Sequence, residues 1–350
     1  MIDPASSSST QPSTTPPPID EATRTYLEKI QYIFTGYNQK RKQRITLRNF
    51  HLAHYTSAEN AAKILNSNHF WMRSVRCMND FREADHGHEL LVRLFNKNSE
   101  HAQVLGENSI SHRFCTVVNE CFPGSAEEAF KKFNDSWPEI RSNTYIMCLS
   151  EHGRKFDRQF GRLSMWRAYA QTNGVALIFK MPNDYDAMPL RVVLNPVGYF
   201  TEQELSMQLH KTIDRISENN GYLKLLPKDL FVEIIYRTLI TTAVSLKHPT
   251  FSEEREWRLI YMPNIETSTH VQLETETISG VPQIVAKLPL ANRPDDHIYN
   301  VEFKDLFERV LIGPTHYPDA VRASLEIQLT KSGITQVPSR IVDTLIPLRI

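Results

Sequence analysis

Residues 52–65 read Leu-Ala-His-Tyr-Thr-Ser-Ala-Glu-Asn-Ala-Ala-Lys-Ile-Leu, a strand that runs straight into a helix, and the neighbouring chain must accommodate that junction. Phe50, Leu52 and His54 share one parity, so an apolar strand face ends in an imidazole where the chain leaves the sheet. Thr56 followed by Glu59 is a capping box, and Ala58, Ala61, Ala62 and Leu65 fall at i, i+3, i+4 and i+7. The result is a short helix with one apolar face. His54 and Tyr55 thereby sit at a junction of defined geometry, suited to a ligand contact.

Composition narrows the function classes. Lys plus Arg equals Asp plus Glu at 40 each, so no global basic field exists to hold nucleic acid. Gly is 12 of 350 residues, roughly half the usual share of about 7%. No G-x-G-x-x-G, P-loop or G-x-S-x-G occurs, which argues against a dinucleotide-binding dehydrogenase, a glycine-loop phosphate site and an α/β-hydrolase. Cys77, Cys115, Cys121 and Cys148 make no C-x-x-C, so neither a zinc ribbon nor a disulfide framework is signalled. No signal-peptide pattern opens the chain and no apolar run nears 18 residues, so a soluble, cytoplasmic protein without membrane contact is expected.

Residues 1–18 are Ser, Thr and Pro with almost nothing to bury, and are expected to form a disordered tail. An N-terminal helix is expected over 19–45, with Tyr26, Ile30, Ile33 and Phe34 at helical spacing and the basic run 40–44 at its end. Residues 46–350 then read as one α+β domain with a split, curved mixed sheet flanked by helices. Strands are expected at His69–Val75, Tyr145–Leu149, Val175–Phe179 and Arg191–Phe200. Helices are expected from Asp80 to Phe95, from Thr201 to Ser217 and from Lys228 to His248, with helices and loops lying over the sheet across 96–140. His86 and His88 sit about 200° apart on a helix and cannot readily share a metal ion.

The second informative segment is Phe251–Tyr261 (FSEEREWRLIY). In a strand, Glu254, Glu256 and Arg258 share one face and Trp257, Leu259 and Tyr261 the other. Such a face is either a surface ion-pair ladder or part of a site. Trp166 and Tyr169, in the helical turn Ser164–Ala170, are likewise either core or ligand-packing aromatics.

Taken in order, His54-Tyr55-Thr56-Ser57, Met78-Asn79-Asp80 with Glu83, Ser164-Met165-Trp166 with Tyr169 and Gly174, Glu254-Arg255-Glu256-Trp257-Arg258, and Ile312-Gly313 resemble the bacterial domain of unknown function 2971. These are spaced islands over about residues 50–340. More distantly, the arrangement resembles the ADP-ribosyltransferase superfamily. That resemblance implies a transferase-like fold with NAD as substrate, His54 on the ribose, Glu256 as the catalytic carboxylate and Glu254 as its helper. It further implies that Tyr55, Thr56, Trp71, Asn79, Asp80, Trp166, Tyr169 and Arg258 form the cofactor-binding wall, with Arg258 a candidate for the pyrophosphate. Ser74, Tyr145 and Tyr169 compete for the superfamily's middle motif. The chemistry agrees with the residue types: cleaving the glycosidic bond develops a cationic ribose, which a carboxylate stabilises.

The expected function is therefore NAD-dependent ADP-ribosylation of a macromolecular acceptor, protein or nucleic acid, or NAD hydrolysis, as a toxin or anti-phage effector. Two alternatives stay open. One is a non-catalytic nucleotide- or protein-binding module. The other is a metal-dependent nucleic-acid-processing enzyme built on Asp80, Glu83, Glu254 and Glu256. Deleting residues 1–18 should leave the melting temperature unchanged, because these residues carry no apolar periodicity to join a core. A drop of several degrees in a calorimetric scan would contradict that expectation.

Overall fold

The computed structural model of the chain describes residues 20–47, 51–77, 82–153, 155–170, 173–182 and 188–346. The expected N-terminal tail lies outside the described residues, as do Asn79 and Asp80 of the candidate site and the side chain of Glu83.

Helix α1 (Glu21–Leu47) buries Ile30, Ile33 and Phe34 and leaves helical dihedrals at Thr35 (φ −127°, ψ 35°). It carries the basic run in its last turns and ends at Leu47, against an expected end at residue 45. Lys and Arg are good helix formers, and Arg41 is anchored, donating to the Val197 carbonyl at 2.5 Å and to Glu151 Oε1 at 2.8 Å.

Strand β1 (His51–Ser57) passes directly into helix α2 (Ala58–Ser67), as the change of period predicts. The cap differs from the expected one. Thr56 is still in the β ladder opposite Val175, and Ser57 is the N-cap, its Oγ accepting from the Asn60 N–H at 3.2 Å. Strand β2 (His69–Ser74) follows, then helix α3 (Arg82–Phe95), helix α4 (Glu100–Leu105), helix α5 (Ile110–Cys121) and helix α6 (Ser125–Ser142). Strand β3 (Tyr145–His152) outlasts its expected apolar run by three residues.

The remaining strands are β4 (Gly174–Phe179), β5 (Val193–Pro196), β6 (Gly198–Tyr199), β7 (Leu246–Lys247), β8 (Glu256–Tyr261), β9 (Gln272–Ile278), β10 (Val281–Pro289), β11 (Phe307–Ile312) and β12 (Ile341–Asp343). Ten of the twelve strands among the described residues form one sheet in the order β12-β11-β4-β1-β3-β2-β10-β9, with β8 added on β3 and β5 on β8. The sheet is mixed: β11 and β12 are parallel and its other pairs antiparallel.

The split lies at β3. One of its edges pairs with β8 from Tyr145↔Tyr261 to Ser150↔Glu256. The other edge is shared, with β1 at His152, Glu151 and Ser150 and β2 at Ile146 and Tyr145. Between them Met147, Cys148 and Leu149 have no ladder partner on that edge among the described residues. The helix α2 connection carries the chain from β1 to β2 around this gap.

Alternation along β8 divides the core. Trp257, Leu259 and Tyr261 bury in the layer beneath α2 and helix Pro318–Lys331, whereas Ile260 packs with Ile146 under α1, α3, α5, α6 and helix Lys228–Val244. That last helix ends at Val244, short of the expected His248, because Leu246 and Lys247 pair with Gly198 and Tyr199. Packing of α3 on it is close enough that a Cβ on Gly87 would lie 2.0 Å from the Ala243 carbonyl oxygen. Gly87→Ala should therefore overpack the contact and cost about 1–3 kcal/mol or more, read as a lower urea midpoint. An unchanged midpoint would mean the two helices separate freely.

Candidate active site

A cavity of about 650 Å³ opens at the split in the sheet, within the range of small-molecule sites. One wall is the end of β1 and the start of α2, with His54, Tyr55, Thr56 and Asn60. A second is Trp71 and Arg73 of β2 with Arg76 beyond it, and the β9–β10 hairpin closes the rim through Ser279 of its turn and Gln283 of β10. Cys148 lies on the floor, and Tyr169, Lys247, Phe251 and Glu254 face it from the β8 side.

His54 Nδ1 lies 2.9 Å from the Cys148 carbonyl oxygen. A carbonyl only accepts, so Nδ1 carries the proton and Nε2 is the acceptor of the neutral ring. Burial lowers the His54 pKa, opposed by this hydrogen bond. The ring is thus a neutral imidazole, filling a backbone position that β1 and β2 leave unpaired.

Glu254 is not in the strand. It ends the 3-10 turn Pro249–Glu254, Arg255 takes a left-handed φ of 46°, and β8 begins at Glu256. The two carboxylates still converge, because Lys247 Nζ reaches Glu254 Oε2 at 2.7 Å and Glu256 Oε2 at 3.4 Å. Arg258 Nε donates to Glu256 Oε1 at 2.8 Å and its Nη1 to the Val244 carbonyl at 2.6 Å. Of the two readings left open, a surface ladder is excluded by burial: the groups form an enclosed cluster of two cations and two anions. Burial pushes the Glu256 pKa up, but Arg258 and Lys247 more than offset it and hold it at about 2, assisted by a hydrogen bond from the Cys148 thiol. Burial, with the Glu256 charge adding to it, pushes that thiol well above its ordinary value.

The turn bearing Glu254 is held by Arg162, which no sequence motif singles out. Its Nη1 donates to the Glu253 and Glu254 carbonyls at 2.8 Å and to Ser150 Oγ at 2.9 Å, and its Nη2 to Asp157 Oδ2 at 3.0 Å. Its backbone N–H donates to Tyr55 Oη at 2.8 Å. Burial raises the Tyr55 pKa to about 12, so the phenol stays neutral. Tyr169 is also pushed upward, first by burial and then by the proximity of Cys148.

Of the residues singled out in the sequence, His54, Tyr55, Thr56, Trp71, Tyr169 and Glu254 meet at the cavity. Glu256 and Arg258 stand behind it, 1% and 2% exposed, and do not line it. Trp166 is core: its ring packs edge-on against Tyr55 at 4.8 Å, its Nε1 donates to the Phe160 carbonyl at 2.7 Å, and a Cβ on Gly313 would lie 2.5 Å from it. Lys247, Arg73, Arg76, Cys148 and Gln283 were not legible as site residues. Lys247 sat in an expected helix, and the others carry no local motif. Among the described residues no group of three or more His, Cys, Asp or Glu is arranged to hold a metal. His88 instead stacks on Trp137 at 4.4 Å.

Residues 165–259 match the family described as Protein of unknown function (DUF2971), which supports the family suggested by the islands. The matched span carries Tyr169, Lys247, Glu254, Glu256 and Arg258, and His54 lies outside it. No curated protein and no solved structure matches the chain. No helix among the described residues is long and apolar enough to cross a membrane.

The low Glu256 pKa has a stability consequence. Since its folded pKa of about 2 lies below the ordinary 4.5, its contribution is complete above pH 4.5 and is lost as pH falls toward 2. Glu256→Gln should cost about 3–5 kcal/mol at pH 7, by leaving Arg258 and Lys247 undercompensated, and should flatten the loss of stability between pH 4.5 and 2. Urea unfolding of both proteins across that range tests this. Equal stability at pH 7 would remove the cluster from the account of the fold.

Proposed function

We propose that the cleft binds NAD and cleaves its nicotinamide glycosidic bond, passing the ADP-ribosyl group to water or to a macromolecular acceptor. The observation that carries the reading is that His54 and Glu254, from segments two hundred residues apart, line one cleft at the split of the sheet, with Trp71 and Tyr169 also lining it. His54 Nε2 accepts a hydrogen bond from a ribose hydroxyl. The Glu254 carboxylate stabilises the cationic ribose formed as nicotinamide leaves, and takes the proton of the attacking hydroxyl or water. This moves the role expected of Glu256 to Glu254, because Glu256 is enclosed by Arg258 and Lys247. Glu256 then acts through Lys247, fixing the position of Glu254. A toxin or anti-phage effector would use either outcome, by modifying an essential acceptor or by draining NAD.

The second reading, a nucleotide-binding module without turnover, is favoured by one observation: the Glu254 carboxylate is already compensated by Lys247 at 2.7 Å. Nicotinamide release separates the two. Glu254→Gln should lower release by about 100-fold or more and should also lower the melting temperature, since it leaves the buried Lys247 with Glu256 alone at 3.4 Å; the Gln variant still folded and binding NAD is the form in which release is compared. His54→Ala should weaken NAD binding and also lose some stability, since it vacates the Cys148 carbonyl. Wild-type protein that releases no nicotinamide in an acceptor-rich lysate would sink the transferase reading and leave the binding module.

A further inference from the structure

The cations around the cleft are not treated alike. Lys247 is paired with Glu254 and Glu256, and Arg258 with Glu256. On the opposite wall Arg73 and Arg76 have no carboxylate partner among the described residues, although Arg73 is half-buried. Arg73 Nε donates to Gln283 Oε1 at 2.9 Å and one Nη2 hydrogen to the Cys77 carbonyl at 2.7 Å. A guanidinium has five N–H donors, so these bonds fix its plane and leave three uncommitted. Burial lowers the Arg73 pKa, opposed only by the nearby Cys77 and Cys148. A desolvated cation held rigidly without a counter-ion is costly, and an arriving anion removes that cost.

Arg73 shares the strand face of Trp71, two residues before it, and Arg76 lies one turn further at the same rim. Two guanidiniums lining one cleft match more than one negative charge, and Trp71 lines it with them. We infer that the β2 wall of the cleft, Arg73 and Arg76 braced by Gln283, is the subsite for the diphosphate of a nucleotide. The inference rests on the cleft being a nucleotide site. It supplies the pyrophosphate contact for which Arg258 is unsuited, being enclosed behind the cavity.

The test is calorimetric titration of the full chain with inorganic pyrophosphate, ADP and adenosine, for wild type, Arg73→Gln and Arg76→Gln, alongside nicotinamide release from NAD. Pyrophosphate and ADP should bind wild type, with adenosine roughly tenfold weaker or worse, and added salt should weaken only the first two. Each substitution should weaken pyrophosphate and ADP by roughly tenfold and leave adenosine unchanged. Arg76 is exposed and its side chain makes no hydrogen bond or ion pair among the described residues, so Arg76→Gln keeps the test decisive if Arg73→Gln misfolds. Equal binding of ADP and adenosine, undiminished ADP binding in Arg76→Gln, or no binding of pyrophosphate to wild type would each overturn the subsite. Arginine-dependent ADP binding without nicotinamide release would uphold the subsite while removing the NAD-cleaving activity.

Discussion

The second edge of β3 is the constraint on which the rest depends. β1 and β2 both pair with it, at opposite ends, and then diverge, leaving Met147, Cys148 and Leu149 between them. Backbone polar groups removed from a ladder need other partners. The Cys148 carbonyl finds one in the His54 imidazole, which spans the gap that the strands leave. The residue that looks most like a ligand contact is therefore also part of how the split sheet closes. A gap of this kind cannot be packed shut, since α2 must carry the chain around it, and a cavity results.

Opposite that gap, charge is handled by mutual enclosure. Glu254, Glu256, Lys247 and Arg258 bring together two carboxylates and two cations from β7, β8 and the turn between them. Burying such a group is expensive, and only dense pairing makes it tolerable. The pairing is graded: Glu256 and Arg258 are sealed, while Glu254 and Lys247 reach the cavity. Arg162 adds a second restraint by gripping the carbonyls of Glu253 and Glu254. The carboxylate at the cavity is thus fixed from both its side chain and its backbone, which is the preorganisation that electrostatic stabilisation of a developing cation requires.

Several of the spaced islands meet for architectural reasons. The Asn173 carbonyl accepts from the Ala58 N–H at 2.8 Å, and the Gly174 carbonyl from the Gly313 N–H at 2.8 Å. Trp166 sits against Gly161, Gly313 and Tyr55, with no room for a Cβ at either glycine. One packing centre thereby joins the β1–α2 junction, the turn before β4 and the end of β11. Residues that share a motif with the cleft can serve this centre instead, as Trp166 does.

How much was legible follows from the range of each signal. The β1–α2 junction, β2 and β4 rest on local period, and all formed where the sequence placed them, with the α2 cap one residue later. Alternation in Glu256–Tyr261 likewise assigned Trp257, Leu259 and Tyr261 to a single core layer. Tertiary structure decided what local pattern cannot encode. It ended a helix at Val244 because Leu246 and Lys247 had a strand partner, and so delivered Lys247 to the two carboxylates. It also chose which of two acidic residues, two apart in the chain, faces the cavity. Period specifies the side of a strand, but the burial of Glu256 depends on pairing with the distant strand β3, and its partner Lys247 is brought to it by the β6–β7 pairing; those meet only when the chain has folded.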